Sequence, residues 1–301
     1  MTWRTLHIKE SEYIRLKLNN LEISKQGRKY YVPLSDISVI ILEGNNTTIT
    51  AKLLSKLSKY NILLVICDEK YLPTGMYLSY GSYHRSAKRG QKQALWSEQL
   101  KKNMWQQIVM QKINNQIAFA SYQSVDMERI QNMVTLYHQV VPGDETNREG
   151  HVAKVYFNSL YGLDFSRDDY CIENIAMNFG YAIVRSAVAR MTIGQGLIPM
   201  LGIFHCNEYN SFNLVDDLME PFRPLMDYWV HQVIGNKDEY LSYESRLQII
   251  DFINQPMKYR GTKSSVEQVM QKYIKSFVSA MEKGDVSLVN SVSFNDFAGG
   301  Q

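Results

Sequence analysis

His205 closes the run Gly196-Leu197-Ile198-Pro199-Met200-Leu201-Gly202-Ile203-Phe204-His205. An imidazole at the end of so apolar a segment can bind a metal, move a proton or sit hydrogen-bonded in a core, and taken alone the last is the common case. Glu220 closes Asp216-Asp217-Leu218-Met219-Glu220 and is followed by Pro221-Phe222-Arg223-Pro224. Carboxylates so crowded repel one another unless a cation or an arginine compensates them. At i, i+4 spacing Asp216 and Glu220 share a helix face while Asp217 points elsewhere. The bland alternative is a solvated acidic face, or acids favoured near a helix start by the macrodipole. Glu149 stands in Thr146-Asn147-Arg148-Glu149-Gly150-His151, ahead of a helical stretch over 152–161. After a Thr or Asn cap it reads as an acid in the first turn of a helix. Local surroundings select none of the three.

Motifs with stronger spacing rules are absent. The chain has no Walker loop, no H-E-x-x-H, no nucleophile elbow and no EF-hand spacing. Gly194-Gln195-Gly196 follows a helical pattern rather than a strand, so it reads as a helix stop and not a phosphate loop. Cys67, Cys171 and Cys206 have no paired spacing, which points to reduced thiols in a cytosolic protein. With 45% hydrophobic and 21% charged residues, the composition is that of an ordinary globular protein. No apolar run reaches the roughly 18 residues of a membrane span, and charges within the first twenty residues exclude a signal-peptide core.

Net charge is only +3, but its distribution is uneven. Between Arg85 and Lys112 lie seven basic residues (Arg85, Lys88, Arg89, Lys92, Lys101, Lys102, Lys112) against Glu98 alone. Such a stretch reads either as a solvated helix face or as a footprint for a polyanion.

The elements that must position these residues fall into two kinds. Ile14, Leu16 and Leu18 alternate with Arg15 and Lys17, and Asn19-Asn20 and Gln26-Gly27 are turn pairs, giving a meander of short strands. The run 37–42 reads as a buried strand. A helix follows, capped by Thr48 or Thr50, with Leu53, Leu54 and Leu57 inward and Lys52, Lys56 and Lys59 outward. A further buried strand is expected over 61–67. Beyond Leu72-Pro73-Thr74-Gly75 the period becomes helical, clearest over 172–190, whose small residues Gly180, Ala182, Ser186, Ala187 and Ala189 admit close neighbours. The expected class is α+β: a small β-rich domain over 1–75, a larger all-helical catalytic domain over 76–285, and a flexible tail over 286–301.

Asn178-Phe179-Gly180-Tyr181-Ala182, then Gly196-Leu197-Ile198-Pro199, Gly202-Ile203-Phe204-His205 and Asp217-Leu218-Met219-Glu220-Pro221-Phe222-Arg223-Pro224 form an ordered series. This series strongly resembles the CRISPR-associated Cas1 family, the integrase of spacer acquisition. The opening Met1-Thr2-Trp3-Arg4 and the compact length resemble its type II branch. The resemblance covers nearly the whole chain and is weakest in the tail. It implies a metal site made of an acid opening a helix, the histidine of the Gly-aromatic-His block and the acid before Pro-Phe-Arg-Pro. In this sequence these are Glu149, His205 and Glu220.

What the resemblance implies chemically is a phosphoryl-transfer enzyme using Mg²⁺ or Mn²⁺, for which two carboxylates and an imidazole are suitable ligands. The 3′-hydroxyl ends of a short foreign double-stranded DNA would attack the leader-proximal repeat, and water in place of the hydroxyl would give endonuclease activity. Asp217 would support the site or orient a partner, and Arg223 would neutralise a phosphate or pair with a core acid. Tyr77, Tyr80, Tyr83 and His84 running into Arg85, Lys88, Arg89 and Lys92 make a first strip for DNA contact, and Lys258 to Lys263, with Arg260, a second. Implied partners are a second copy in a homodimer, a small ferredoxin-like second Cas protein bridging two dimers, the type II effector nuclease and a ring-shaped DNA-binding accessory. A general nuclease of branched DNA and a non-catalytic DNA-bridging scaffold are the competing readings.

Overall fold

The fold is taken from a computed structural model that describes residues 4–44, 46–69, 71, 73–79, 83–234 and 240–299. Met1, Thr2, Trp3, Leu72, Tyr80 and Gly300, which entered the sequence reading, lie outside the described residues. The chain divides into two compact units, one of residues 1–89 with 189–197, the other of 90–188 with 198–301.

The first unit contains two four-stranded sheets. β1 (Arg4–Lys9), β5 (Ile37–Glu43) and β7 (Leu63–Cys67) run parallel, with β8 (Pro73–Tyr77) antiparallel at the edge. β2 (Tyr13–Lys17), β3 (Asn20–Lys25) and β4 (Arg28–Pro33) form the expected antiparallel meander, and β6 (Thr48–Ile49) adds to β2 in parallel. The first turn sits one residue earlier than the sequence suggested. Leu18 and Asn19 both have positive φ, and Leu18 is 87% exposed, so it is a turn residue and not the last inward position of β2. Gln26 and Gly27, at φ 50° and 73°, make the second turn as expected. α1 (Ala51–Tyr60) is capped by Thr50, whose hydroxyl accepts from Leu53 N, and it buries Leu53 and Leu57.

Every residue of β5 is buried, as a strand covered on both faces requires. Its Ile37, Ile40 and Leu42 join Ile8, Ile14, Leu21, Leu53, Leu57 and Leu64 in one apolar core. The Pro73-Thr74-Gly75 break expected to end this domain is instead the start of β8, because Pro is tolerated at the first position of an edge strand. α2 (Ser86–Ala94) follows.

In the second unit α3 (Glu98–Tyr122) is the longest helix, and α4 (Met127–Tyr137) and α5 (Arg148–Tyr161) pack on it. α6 (Ile172–Gly194) begins in this unit and runs to the glycine expected to stop it. α7 (Asn213–Met219) leads through a single tight turn, Glu220–Phe222, into α8 (Arg223–Val233), followed by α9 (Tyr243–Ile250). Gly180 is where α6 approaches α8. A Cβ there would stand 2.5 Å from Met226 Sδ, so the small residue is needed for packing.

The unit is not wholly helical. β9 (Pro256–Tyr259) and β10 (Thr262–Ser265) form a hairpin before α10 (Val266–Lys283). The basic segment 258–263, read as a second strip for DNA contact, lies in this hairpin, and Arg260 and Gly261 at its tip both have positive φ. Nor is the segment 286–299 a free tail. α11 (Phe294–Ala298) buries Phe294 and Phe297 at 1% and 0% exposure, and Asn115 of α3 accepts from Phe294 N and donates to the Val292 carbonyl. A five-residue helix is too short to display a period, which is why the segment read as a flexible tail. Phe297→Ala is expected to lower the free energy of urea unfolding by about 3–5 kcal/mol. A loss under about 1 kcal/mol would mean that the segment contributes no core.

Candidate active site

Glu149 is held by the way α5 starts. Asp144 lies in a tight turn at Pro142–Asp144, and its carboxylate accepts from Arg148 N and Glu149 N, both at 2.9 Å. Asn147, in the left-handed region, completes the cap by accepting from Gly150 N. Of the two caps the sequence allowed, Asn147 is the one used, and Asp144 had not been singled out.

Glu220 opens the turn between α7 and α8, where Pro221 has no amide hydrogen to lose. Asn115, fully buried on α3, donates to the Pro221 carbonyl at 2.9 Å and thereby ties that turn to the central helix. Glu220 is 3% exposed. Its Oε1 accepts from Arg223 Nε at 2.8 Å. Its Oε2 faces the Lys112 ammonium as an ion pair while making no aligned hydrogen bond. Lys112 Nζ also donates to Glu149 Oε1. The two acids, distant in sequence, thus meet around one buried cation.

Charge, not burial, decides the protonation here. Burial alone would push the Glu220 carboxyl up, yet the Arg223 guanidinium and the Lys112 ammonium outweigh it and bring the group down to about 2. Burial likewise opposes the charge on Lys112, but Glu149 and Glu220 hold its pKa above the ordinary lysine value. Arg223 is raised as well, Glu220 again overcoming the cost of burial. Of the two roles the sequence left open for Arg223, pairing with a core acid is the one present.

His205 is fixed by Asp217. The Asp217 carboxylate is completely buried and accepts from the backbone amides of Ile203, Phe204 and His205 at 2.7–3.2 Å. It also meets His205 Nδ1 at 2.7 Å. This hydrogen bond raises the imidazole pKa, against opposing burial, and occupies Nδ1 rather than Nε2. Gly202 is required for the close approach, since a Cβ there would stand 2.2 Å from the His205 carbonyl oxygen and 2.9 Å from Asp217 Oδ2. Trp105 of α3 stacks on Phe204 at 4.2 Å and meets the His205 ring edge-on at 5.7 Å.

Two further sets of contacts brace the acids. Arg185 pairs with Asp216, whose carboxylate also accepts from Asn210 Nδ2. Arg223 lies over the Tyr181 ring at 4.6 Å, and the Tyr181 and Tyr156 hydroxyls both donate to the buried carboxylate of Asp227.

Glu149 and Glu220 are therefore brought together, and His205 lies close enough to Glu220 for their charges to interact. Among the described residues, however, no three His, Cys, Asp or Glu side chains already form a cluster able to hold a metal ion. The donor set nonetheless fits a divalent cation. It offers a buried carboxylate oxygen without a hydrogen bond, a second carboxylate on the same centre, and a histidine whose other nitrogen is tied to an aspartate.

The basic stretch divides on inspection. Lys112 is buried in the site, Lys101 pairs with Glu98, and Lys102 pairs with Glu145. Arg89 lies 4.4 Å over the Tyr83 ring and donates to the Gln195 carbonyl, so both side chains are engaged within the first unit. Tyr77 is also engaged there, its hydroxyl bonding Ser58 and the Leu54 carbonyl. His84, Arg85, Lys88 and Lys92 are exposed, as are Arg260 and Lys263 on the hairpin, where Arg260 donates to Asn290. Among the described residues no helix is long and apolar enough to cross a membrane.

Burial pushes the Asp227 carboxyl up to about 6, although the hydroxyls of Tyr181 and Tyr156 pull it down. Such a raised acid stabilises the fold fully below its ordinary value of 3.8, and that contribution is lost as pH rises through about 6. The amount is about 3 kcal/mol. Asp227→Asn cannot ionise, so its urea-unfolding free energy relative to wild type is expected to improve by about 2 kcal/mol between pH 4.5 and 7.5. A difference constant over that range would show that burial does not govern Asp227.

Comparison with known proteins places the chain in a family. Residues 6–273 match the family described as CRISPR associated protein Cas1. A CRISPR-associated endonuclease Cas1 of Neisseria meningitidis is 45% identical over 230 residues, covering 76% of this chain and 75% of its own. Among solved structures, a casposase bound to integration product superposes with a TM-score of 0.75 at 18% identity, covering 98% of this chain and 93% of that one. A chain of a Cas6-RT-Cas1–Cas2 complex superposes with a TM-score of 0.77 at 19% identity, and this chain, covered over 97% of its length, spans 36% of that longer one. With the family matched over most of its length and a relative this similar, the chain belongs to the CRISPR-associated Cas1 family.

Proposed function

We propose that the chain is a divalent-metal-dependent DNA integrase of CRISPR adaptation, of the type II branch, with associated endonuclease activity. The observation that carries this reading is the meeting of Glu149 and Glu220 on one buried cation, in a chain of the Cas1 family. Glu149, Glu220 and His205 Nε2 would hold Mg²⁺ or Mn²⁺. A bound ion would activate a DNA 3′-hydroxyl and offset charge developing on the scissile phosphate.

The chain's own residues prepare that site. Arg223 occupies Glu220 Oε1 and keeps the carboxylate ionised, leaving Oε2 for ligation. Asp217 sets the ring orientation of His205 through Nδ1. Trp105 and Phe204 wall the imidazole with apolar surface. The reaction joins the 3′-oxygen of the short duplex to a phosphorus of the repeat and releases the target strand's own 3′-hydroxyl. One phosphodiester forms as one breaks, so no external energy source is needed.

A pocket of about 470 Å³ beside His205, bordered by Gln93, Lys101, Met200, Cys206 and Asn213, has room for a nucleotide next to the reacting phosphate. The exposed His84, Arg85, Lys88 and Lys92, with Arg260 and Lys263, would contact DNA backbone without reading sequence. The likeness to a Cas1–Cas2 complex supports a second Cas protein as partner. A homodimer, the type II effector nuclease, a ring-shaped accessory and a cytoplasmic location complete the reading.

The test is transfer of a labelled short duplex into a supercoiled plasmid bearing leader and repeat, with the companion protein and Mn²⁺ or Mg²⁺. Wild type is expected to join label to plasmid, and His205→Ala and Glu220→Ala to lose at least a hundredfold of that activity, as does wild type with excess chelator. Only shortened strands would point to a general nuclease. Equal joining by all three proteins would remove both side chains from the chemistry, and no joining by any of them with DNA still bound would leave a bridging scaffold.

A further inference from the structure

Lys112 is the one charged side chain of the basic stretch that is buried in the acidic site, 8% exposed. Its ammonium contacts Glu149 Oε1 and Glu220 Oε2 together, the oxygens that the proposed metal would need. Without a metal, the two carboxylates are balanced by Lys112 and Arg223, and the centre is close to neutral. Arg223 sits on the other oxygen of Glu220, stacked on Tyr181, and has no reason to move. A divalent ion between the same carboxylates would place like charges in contact inside a poorly solvated site, which proteins avoid by moving or discharging one of them.

We propose that Lys112 is a tethered cation that the metal must displace, so that this lysine sets the metal affinity of the Glu149–Glu220 pair. The inference rests on the metal-dependent reading above and adds a role for a residue outside the ligand set. A displaced ammonium needs a new anion, and the DNA phosphate entering beside the site supplies one. Metal and DNA therefore assist each other's binding: the metal frees the ammonium for the phosphate, and the phosphate removes the ammonium's competition for the carboxylates. Lys112 is on this account a brake on metal loading in the absence of DNA, and a phosphate contact in its presence.

The experiment is calorimetric titration of Mn²⁺ into the full chain, as wild type, Lys112→Met, Lys112→Gln and Glu220→Ala. It is repeated with a short duplex whose 3′ ends are dideoxy and cannot react. Thermal melts with and without Mn²⁺ check folding and give a second readout. Without DNA, Lys112→Met and Lys112→Gln are expected to bind Mn²⁺ at least tenfold more tightly than wild type, and to gain more in Tm from it. DNA should tighten Mn²⁺ binding by wild type and leave the two lysine variants nearly unchanged. Mn²⁺ binding by wild type that is abolished by Glu220→Ala but unaltered or weakened by the lysine substitutions would overturn the proposal while sparing the metal site. No Mn²⁺ binding by wild type or by either lysine variant, with DNA or without it, would overturn the metal site and the proposal together.

Discussion

Two carboxylates brought together away from water repel each other, and neither is stable there without a cation. Most of the second unit can be understood as the means of satisfying that condition. Asp144 and Asn147 fix the first turn of α5, Asn115 ties the turn carrying Glu220 to the central helix, and Arg223 and Lys112 arrive from two different helices with the compensating charge. The positive charges outweigh burial at Glu220, which stays ionised where an unpaired acid would take up a proton.

The histidine is placed by a different device on the same principle. Asp217 is a buried anion neutralised by three backbone amides and the imidazole, so the loop 202–205 is folded around a carboxylate. Gly202 permits it, because a side chain at that position has no space. The neighbouring Asp216 pairs with Arg185 and reaches the centre only through its charge on Arg223 and His205. Adjacent acids of like chemistry thus acquire separate roles through the partners that the fold gives them.

The meander, the buried β5 and α1 were legible in the sequence because alternation, turn pairs and a capped amphipathic stretch are local signals. The last turn of β2 was misplaced by one residue because Leu18 looks inward by period, whereas the two-residue loop puts it at φ 48°. Phe294 and Phe297 belong to a helix too short to show a period, and their burial depends on Asn115, which lies far away in the chain. Glu149, His205 and Glu220 could be joined only through family resemblance, since each has a commonplace local explanation. Lys112 was counted with Lys101 and Lys102 as surface charge. Sequence spacing does not distinguish an ammonium aimed at water from one aimed at two acids. A partial signal was available, because Lys112 is bracketed by apolar Ile108, Val109 and Ile113 on a central helix.

On the proposed reading Glu149, Glu220 and His205 Nε2 share a divalent ion, and the Lys112 ammonium yields its place to it. The most direct measurement is anomalous diffraction from crystals of the chain grown with Mn²⁺. The expected result is one strong manganese peak within about 2.0–2.4 Å of a carboxylate oxygen of each glutamate and of His205 Nε2, with Lys112 Nζ moved off the pair. A manganese peak bound by other residues, or none while Lys112 still bridges Glu149 and Glu220 at saturating Mn²⁺, would contradict it.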